Sequence, residues 1–294
     1  MSEAGNAGPG GAPQAGVERP TITPSKLDTY FRCGEQYRRR YVLGERVPPG
    51  VALVKGSAVH KAVEVNYAQK VESHVDLPLG DLEQAAAAEV DTRVAGEGLM
   101  LTPEEEQRGA ARVRGEVVDR AVVLTGLYHK QVAPGVQPVM VERTVRIALP
   151  GRPYDFNGRL DVVDSTGSVR DTKTSSKRKQ QSEVDRSDAL TYYYAAYAHE
   201  VGSLPRNVVL DVLIDKARPE VQQLTSTRTA RDTQVFVNRV NAMLAGVEAQ
   251  VYPPAPLGHW VCSPRFCGYW WSCPYVNSER SAAAEAAESA GGGA

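Results

Sequence analysis

The spacing of apolar residues along the chain changes period twice. Across residues 25–43 (SKLDTYFRCGEQYRRRYVL), Leu27, Tyr30, Tyr37 and Tyr41 recur at roughly helical intervals, and Ser25 can cap the helix they predict. The stretch GERVPPG, 44–50, ends it. A second helix is predicted from Lys55 or Gly56 through His60 toward Val71, and an Ala-rich one over 81–95. Thr102, Pro103 and Glu105 combine an N-cap, a first-turn proline and a capping-box acid, and the helix they start is predicted to reach about Lys130. The pattern then turns to alternation. Residues 138–149, 154–164 and 168–173 read as three strands, the last two joined by a turn at 164–167. A Tyr- and Ala-rich helix at 188–199, a strand at 207–215 with an antiparallel partner ending near Leu224, and a helix at 229–250 capped by Thr229 and Asp232 follow. A Pro-rich loop at 253–256 leads into a Cys- and Trp-rich segment, 259–275. This order predicts an α/β or α+β core with an N-terminal helical elaboration.

Composition adds limits. The chain has 294 residues, 42% apolar and 23% charged, and a net charge of −1, ordinary values for a soluble globular protein. No apolar run is long enough for a membrane helix, and the N-terminus lacks the basic and apolar regions of a secretory signal, so a cytoplasmic protein is expected. Both ends are rich in Gly, Ala, Ser and Pro, predicting disordered tails at 1–19 and 277–294. They carry Glu3, Glu18, Glu279, Glu285 and Glu288 against Arg19 and Arg280. The acidic excess therefore lies in the tails, and the core, 20–276, is mildly basic. A near-neutral total is thus no argument against a nucleic-acid partner.

The densest chemistry lies at 158–175, GRLDVVDSTGSVRDTKTS. Strand alternation puts Asp171 and Lys173 on one side and Thr172 on the other, and the intervening turn brings Asp161 beside Asp171. Two carboxylates and one ammonium then meet at one place on the sheet. Phosphodiester hydrolysis uses such a set: carboxylates hold a hard divalent cation such as Mg²⁺ or Mn²⁺, and a lysine positions water or neutralises developing charge. Asp-x-Lys alone is equally an ordinary ion pair on a strand. His60, in Gly56-x-x-x-His60 upstream, adds a possible nitrogen ligand, while Glu142 reads as structural.

The four cysteines are Cys33, Cys262, Cys267 and Cys273. Three fall close together beside Trp260, Trp270 and Trp271, and one lies far upstream. They are too sparse for a disulfide scaffold but sufficient for one Zn²⁺ or one iron–sulfur cluster. The C-x4-C-x5-C spacing lacks the two close pairs of a zinc finger.

The order of these motifs resembles the RecB-like branch of the PD-(D/E)XK nucleases over residues 24–275. Ser25, Leu27, Tyr30 and Cys33 match S-x-L-x-x-Y-x-x-C; Gly56 and His60 match G-x-x-x-H; Gly158 and Asp161 match G-x-x-D; Asp171, Lys173 and Thr174 match D-x-K-T. The resemblance implies a restriction-endonuclease-like mixed central sheet flanked by helices. It also implies a metal held by His60, Asp161, Asp171 and the Thr172 carbonyl, with Lys173 as catalytic lysine. One cysteine before the core and three after it imply a [4Fe–4S] cluster clasping both ends of the nuclease domain, zinc being the alternative. The family's Q-x-x-x-Y is altered: Ala189 stands at the Gln position and Tyr193 at the Tyr position.

The expectation is therefore a single domain over 20–276, divided into a helical part (20–135), a catalytic part (136–250) and a cluster segment (251–276). Its activity would be that of a Mg²⁺- or Mn²⁺-dependent exonuclease acting on DNA ends or single strands. The resemblance implies work alongside recombination, CRISPR or phage replication proteins. Arg38, Arg39 and Arg40, and Lys177, Arg178 and Lys179, are candidate phosphate contacts, and Tyr193 a further substrate contact. Tyr30, Tyr37 or Trp270 could stack unpaired bases. A non-catalytic DNA-binding factor with the same fold is the reading that Ala189 motivates.

Overall fold

The computed structural model describes residues 19–148 and 153–276. The tail expected at 277–294, all but Arg19 of that at 1–19, and Leu149 lie outside the described residues. Among the described residues six strands form one mixed sheet: β1 (Thr21–Ile22), β2 (Pro138–Ala148), β3 (Asp155–Asp164), β4 (Val169–Ser175), β5 (Val208–Ile214) and β6 (Glu220–Ser226). Long β3 pairs antiparallel with β2 along one edge; its other edge meets β1, parallel, and then β4, antiparallel. β4 and β5 run parallel, and β5 and β6 antiparallel. β5 is buried at every position, as its unbroken apolar run except for Asp211 requires.

The helices are α1 (Pro24–Arg32), α2 (Gly34–Tyr37), α3 (Val51–Ser73), α4 (Leu79–Glu97), α5 (Pro103–Arg108), α6 (Ala110–Gln131), α7 (Gln181–Asp185), α8 (Asp188–Val201) and α9 (Ala230–Glu248). They cover both sheet faces. One core gathers Leu27, Tyr37, Leu190, Tyr192, Phe236 and Val240 around Leu160, Val163 and Val212. The other packs Val59, Leu82, Val90, Leu124 and Tyr128 against Val162 and Leu213. The expected mixed sheet flanked by helices, with a helical N-terminal part, is what the chain forms.

Three helix boundaries differ from the sequence reading. The helix at 25–43 is capped by Thr23 and breaks at Cys33, whose φ of −163° and ψ of 106° are extended. There the Gly34 N–H donates to the Pro253 carbonyl at 2.7 Å. A Cβ on Gly34 would fall 2.6 Å from the Tyr252 carbonyl carbon, so glycine lets the C-terminal segment cross this break. Residues 38–42 continue as a π-helical turn. The second helix begins earlier than expected, at Val51. The helix that Thr102 and Glu105 start does have its capping box, but it stops at Gly109, φ +85°, and α6 restarts from there.

Candidate active site

His60, Asp161 and Asp171 each offer a ligand atom within 4.8 Å of the others; among the described residues no other trio of His, Cys or carboxylate side chains does so. Their positions follow from local structure. Pairing of Val162 with Arg170 sets Asp161 beside Asp171 across the β3–β4 turn. α3 lies against β2 and β4; Gly56 allows this approach, because its Cβ would lie 3.3 Å from Thr174 Oγ1. One helical turn later His60 Nδ1 stands 3.5 Å from Asp161 Oδ2, with its ring against the Thr172 backbone. Gly158 is demanded by α8: a Cβ there would sit 2.3 Å from the ring of Tyr192, which is buried and donates to the Val145 carbonyl at 2.8 Å.

Burial and the closeness of like charges dominate the electrostatics of the trio. Burial and the Asp171 charge push the Asp161 carboxyl well above the ordinary range. Its Oδ2 is buried without a hydrogen-bond partner, a costly state for a carboxylate oxygen. Burial would raise Asp171 too, but the Lys173 charge and a hydrogen bond with Asp161 hold it below its usual value. Lys173 Nζ donates to Asp171 Oδ1 at 2.8 Å. Burial would lower the ammonium, and Asp171 and Asp161 outweigh it and hold it raised, hence protonated. Lys173 nonetheless keeps 48% of its side chain exposed, so it can meet a ligand in the cleft. Burial and the Lys173 charge lower His60 to about 4, leaving a neutral imidazole, the form that binds metals.

Tyr193 lies close enough to Asp171 and Asp161 for burial and their charges to hold its hydroxyl well above its ordinary value. The same cleft is lined by Arg159, absent from the sequence reading, and by Glu142, which reads as structural in the sequence. Arg159 pairs with Glu142, and both face the space between His60, Asp161 and Lys173. Arg159 is two residues before Asp161 on a strand, and that period was the available signal. Glu142 adopts φ +52° within β2, a rare conformation for a non-glycine residue. Lys61, Glu64, Glu89 and Arg93 complete the rim of the cleft, about 720 Å³ in volume.

The basic clusters divide. Arg38 and Arg39 both pair with buried Glu35, and Arg39 also donates to Ser272 Oγ and O at 2.7 and 2.9 Å. Their charges are used within the protein, and Arg39 ties the first helices to the Cys-rich segment. Arg40 is exposed and forms no ion pair among the described residues. Arg178 pairs with Glu220 and Lys179 with Glu183, both near the surface, while Lys177 is exposed. Of the aromatics expected to stack bases, Tyr30, Tyr37 and Trp270 are buried, and Trp260, Phe266 and Trp271 are exposed instead.

All four cysteines line one cavity with Glu35, Val261, Tyr269 and Trp270, and none pairs in a disulfide. Burial, reinforced by the other three cysteines, pushes the Cys267 thiol up to about 11. The buried indole N–H of Trp270 has no partner.

A sheet carrying paired aspartates and a lysine beneath a helical histidine defines a class, and sequence comparison names it. The chain belongs to the PD-(D/E)XK nuclease superfamily, which it matches over residues 21–274. No curated protein is significantly similar to it in sequence. Among solved structures, a candidate exonuclease from Eubacterium rectale shares the fold, with TM-score 0.53 over 82% of this chain and 86% of that one, at 12% identity. The protein SSO0001 is 13% identical over 88% of both chains, with TM-score 0.40. No helix among the described residues is long and apolar enough to cross a membrane.

Proposed function

We propose that the chain is a RecB-like nuclease domain, 20–276, that hydrolyses DNA as a Mg²⁺- or Mn²⁺-dependent exonuclease on ends or single strands. The observation that carries this reading is the unpartnered, buried Asp161 Oδ2 facing neutral His60 and Asp171. An all-O/N donor set of two carboxylates, an imidazole and the Thr172 carbonyl suits a hard divalent cation. Such a cation would screen charge on a scissile phosphate and make water a better nucleophile. The protein's own parts then have distinct tasks. Lys173, fixed by Asp171, presents a permanent positive charge to the phosphoryl oxygens. Its proton stays on Nζ at neutral pH, so it acts by charge and by orienting water. Tyr193, kept protonated beside Asp171 and Asp161, can donate to a phosphate oxygen drawn toward the carboxylates. Ala189 leaves the helix without the usual amide, and Tyr193 is its remaining polar group toward the carboxylates.

The four cysteines are proposed to hold a [4Fe–4S] cluster. They line one cavity and together make a complete thiolate ligand set for such a cluster. The cluster would join the start of the domain to its end. Digestion of end-labelled single-stranded DNA with Mn²⁺ tests the nuclease reading: wild type degrades it, and Lys173→Ala loses at least about a hundredfold in rate, the scale of one lost charge-stabilising group. Intact DNA after incubation with cluster-loaded wild type refutes it. Iron content of an anaerobic preparation tests the cluster, and zinc in its place rejects it.

A further inference from the structure

A second cleft, about 440 Å³, runs on from the catalytic one; Ala52, Leu53 and Thr174 line both. Its walls come from opposite ends of the sequence. One is built by Arg40, by Val47–Gly50 and by the first turn of α3; the other is Arg265, Phe266 and Gly268 of the Cys-rich segment. The two walls are held close. A Cβ on Gly268 would fall 2.7 Å from Val47, and the Tyr269 hydroxyl donates to the Glu45 carbonyl at 2.8 Å.

The charges in this cleft are unevenly committed. Glu105 is occupied in its capping box with Thr102, Glu97 pairs with Arg93, and Lys55 pairs with Asp215. Arg40 and Arg265 are exposed and form no ion pair among the described residues, although Glu104 lies within electrostatic reach of Arg265. Beside them Phe266 is 48% exposed, with the Arg265 guanidinium 5.6 Å from its ring centre and Trp260 edge-on at 5.2 Å.

Two exposed cations without an ion pair among the described residues, Arg40 resting on the Tyr41 ring at 5.6 Å, and an exposed aromatic side chain, in a cleft continuous with the proposed nuclease site, match the two repeating parts of one ligand. We infer that this cleft is the track for single-stranded DNA entering or leaving the active site. Arg40 and Arg265 meet successive phosphates, and Phe266 stacks on an unpaired base. A duplex keeps its base faces stacked on each other and offers nothing to Phe266, so the ligand is single-stranded. The inference rests on the nuclease reading for its direction, and it adds a polynucleotide-binding role to the Cys-rich segment.

The test measures binding apart from cleavage. Full-length protein with its cluster, without added divalent metal, is titrated into a fluorescent oligothymidylate of roughly 20 nucleotides, and anisotropy is followed across a salt series. Phe266→Ala is expected to weaken binding about tenfold, the cost of one lost stack, and Phe266→Trp to restore it. Arg40→Ala with Arg265→Ala is expected to lower the slope of log affinity against log salt by about 1.4, from two lost phosphate contacts on a single strand. Arg112→Ala, an exposed arginine outside both clefts, serves as control and is expected to change neither. Wild-type affinity and slope in the Phe266 and double-arginine variants overturn the inference, as does absence of binding by wild type. A duplex bound as tightly as the single strand, with the same losses, also overturns it. Variant-sensitive binding without Mn²⁺-dependent digestion rejects the nuclease reading alone; digestion with variant-insensitive binding rejects the track alone.

Discussion

Asp161 should weaken the metal-free protein, and replacing it isolates that effect. In Asp161→Asn the side chain keeps its size, can no longer take up the charge that burial and Asp171 disfavour, and carries an N–H that can donate to that carboxylate. The buried Oδ2, 3.5 Å from His60 Nδ1, has no hydrogen-bond partner. Leaving such a group unsatisfied costs about 1–3 kcal/mol, and relieving it should raise the metal-free melting temperature by roughly 2–10 °C for a domain of this size. Saturating Mn²⁺ should reverse the order. Wild type gains about 2.7 kcal/mol when the ion is a hundredfold above its dissociation constant, and the variant, short of one anionic ligand, gains far less. Differential scanning calorimetry with chelator and with MnCl₂ reads both effects in one experiment. An Asp161→Asn protein that melts below wild type in chelator, or gains as much from Mn²⁺, refutes the argument that this oxygen awaits a cation.

Metal affinity should fall as pH is lowered. His60, with its value near 4, is already neutral and has no proton to release, whereas the raised Asp161 carboxyl must lose one to become a ligand; calorimetry in buffers of different ionisation enthalpy should find proton release, and a pH-independent affinity would count against the assignment. Gly158→Ala should destabilise by about 1–3 kcal/mol through overpacking against Tyr192, and Tyr192→Leu in the same chain should recover part of that loss in a double-mutant cycle; strict additivity would show that the contact is relaxed elsewhere. Glu35→Gln removes the shared acid from Arg38 and Arg39, leaving Arg39 only Glu45 as an acidic partner among the described residues, and should destabilise the domain through the lost charge-assisted hydrogen bonds of buried Glu35 by about 1–3 kcal/mol, with faster loss of iron on exposure to air; unchanged unfolding and iron retention would show that Glu35 does not anchor the Cys-rich segment.

Local signals made much of the molecule readable. The capping boxes at Thr102 and Thr229 appear where their sequences place them, because a cap depends only on residues three apart. The alternating strands were legible for the same reason, and the juxtaposition of Asp161, Asp171 and Lys173 followed from register across one turn. Features set by distant residues were not legible. Cys33 leaves the helix because Pro253 bonds to Gly34, a contact across the whole domain. Arg38 and Arg39 look like free cations until Glu35 proves buried between them, although its spacing of three and four was visible on the helix. Tyr30, Tyr37 and Trp270 share their residue types with the exposed aromatics, and only packing distinguishes them. Phe266 and Arg265 became prominent because the two cysteines beside them turn inward to the shared cavity.

The two walls of the second cleft also impose an order of events on synthesis. Arg40 leaves the ribosome well before Arg265–Gly268, so the groove cannot form on a nascent chain that stops short of the Cys-rich segment. The parallel pairing of β1 with β3 likewise waits for residues far downstream, and contacts of such long separation form late in folding. A truncated or stalled product would carry the carboxylates, the lysine and the histidine, yet lack the second wall of the cleft. Formation of this cleft is thereby coupled to the folding of the Cys-rich segment, which supplies its second wall.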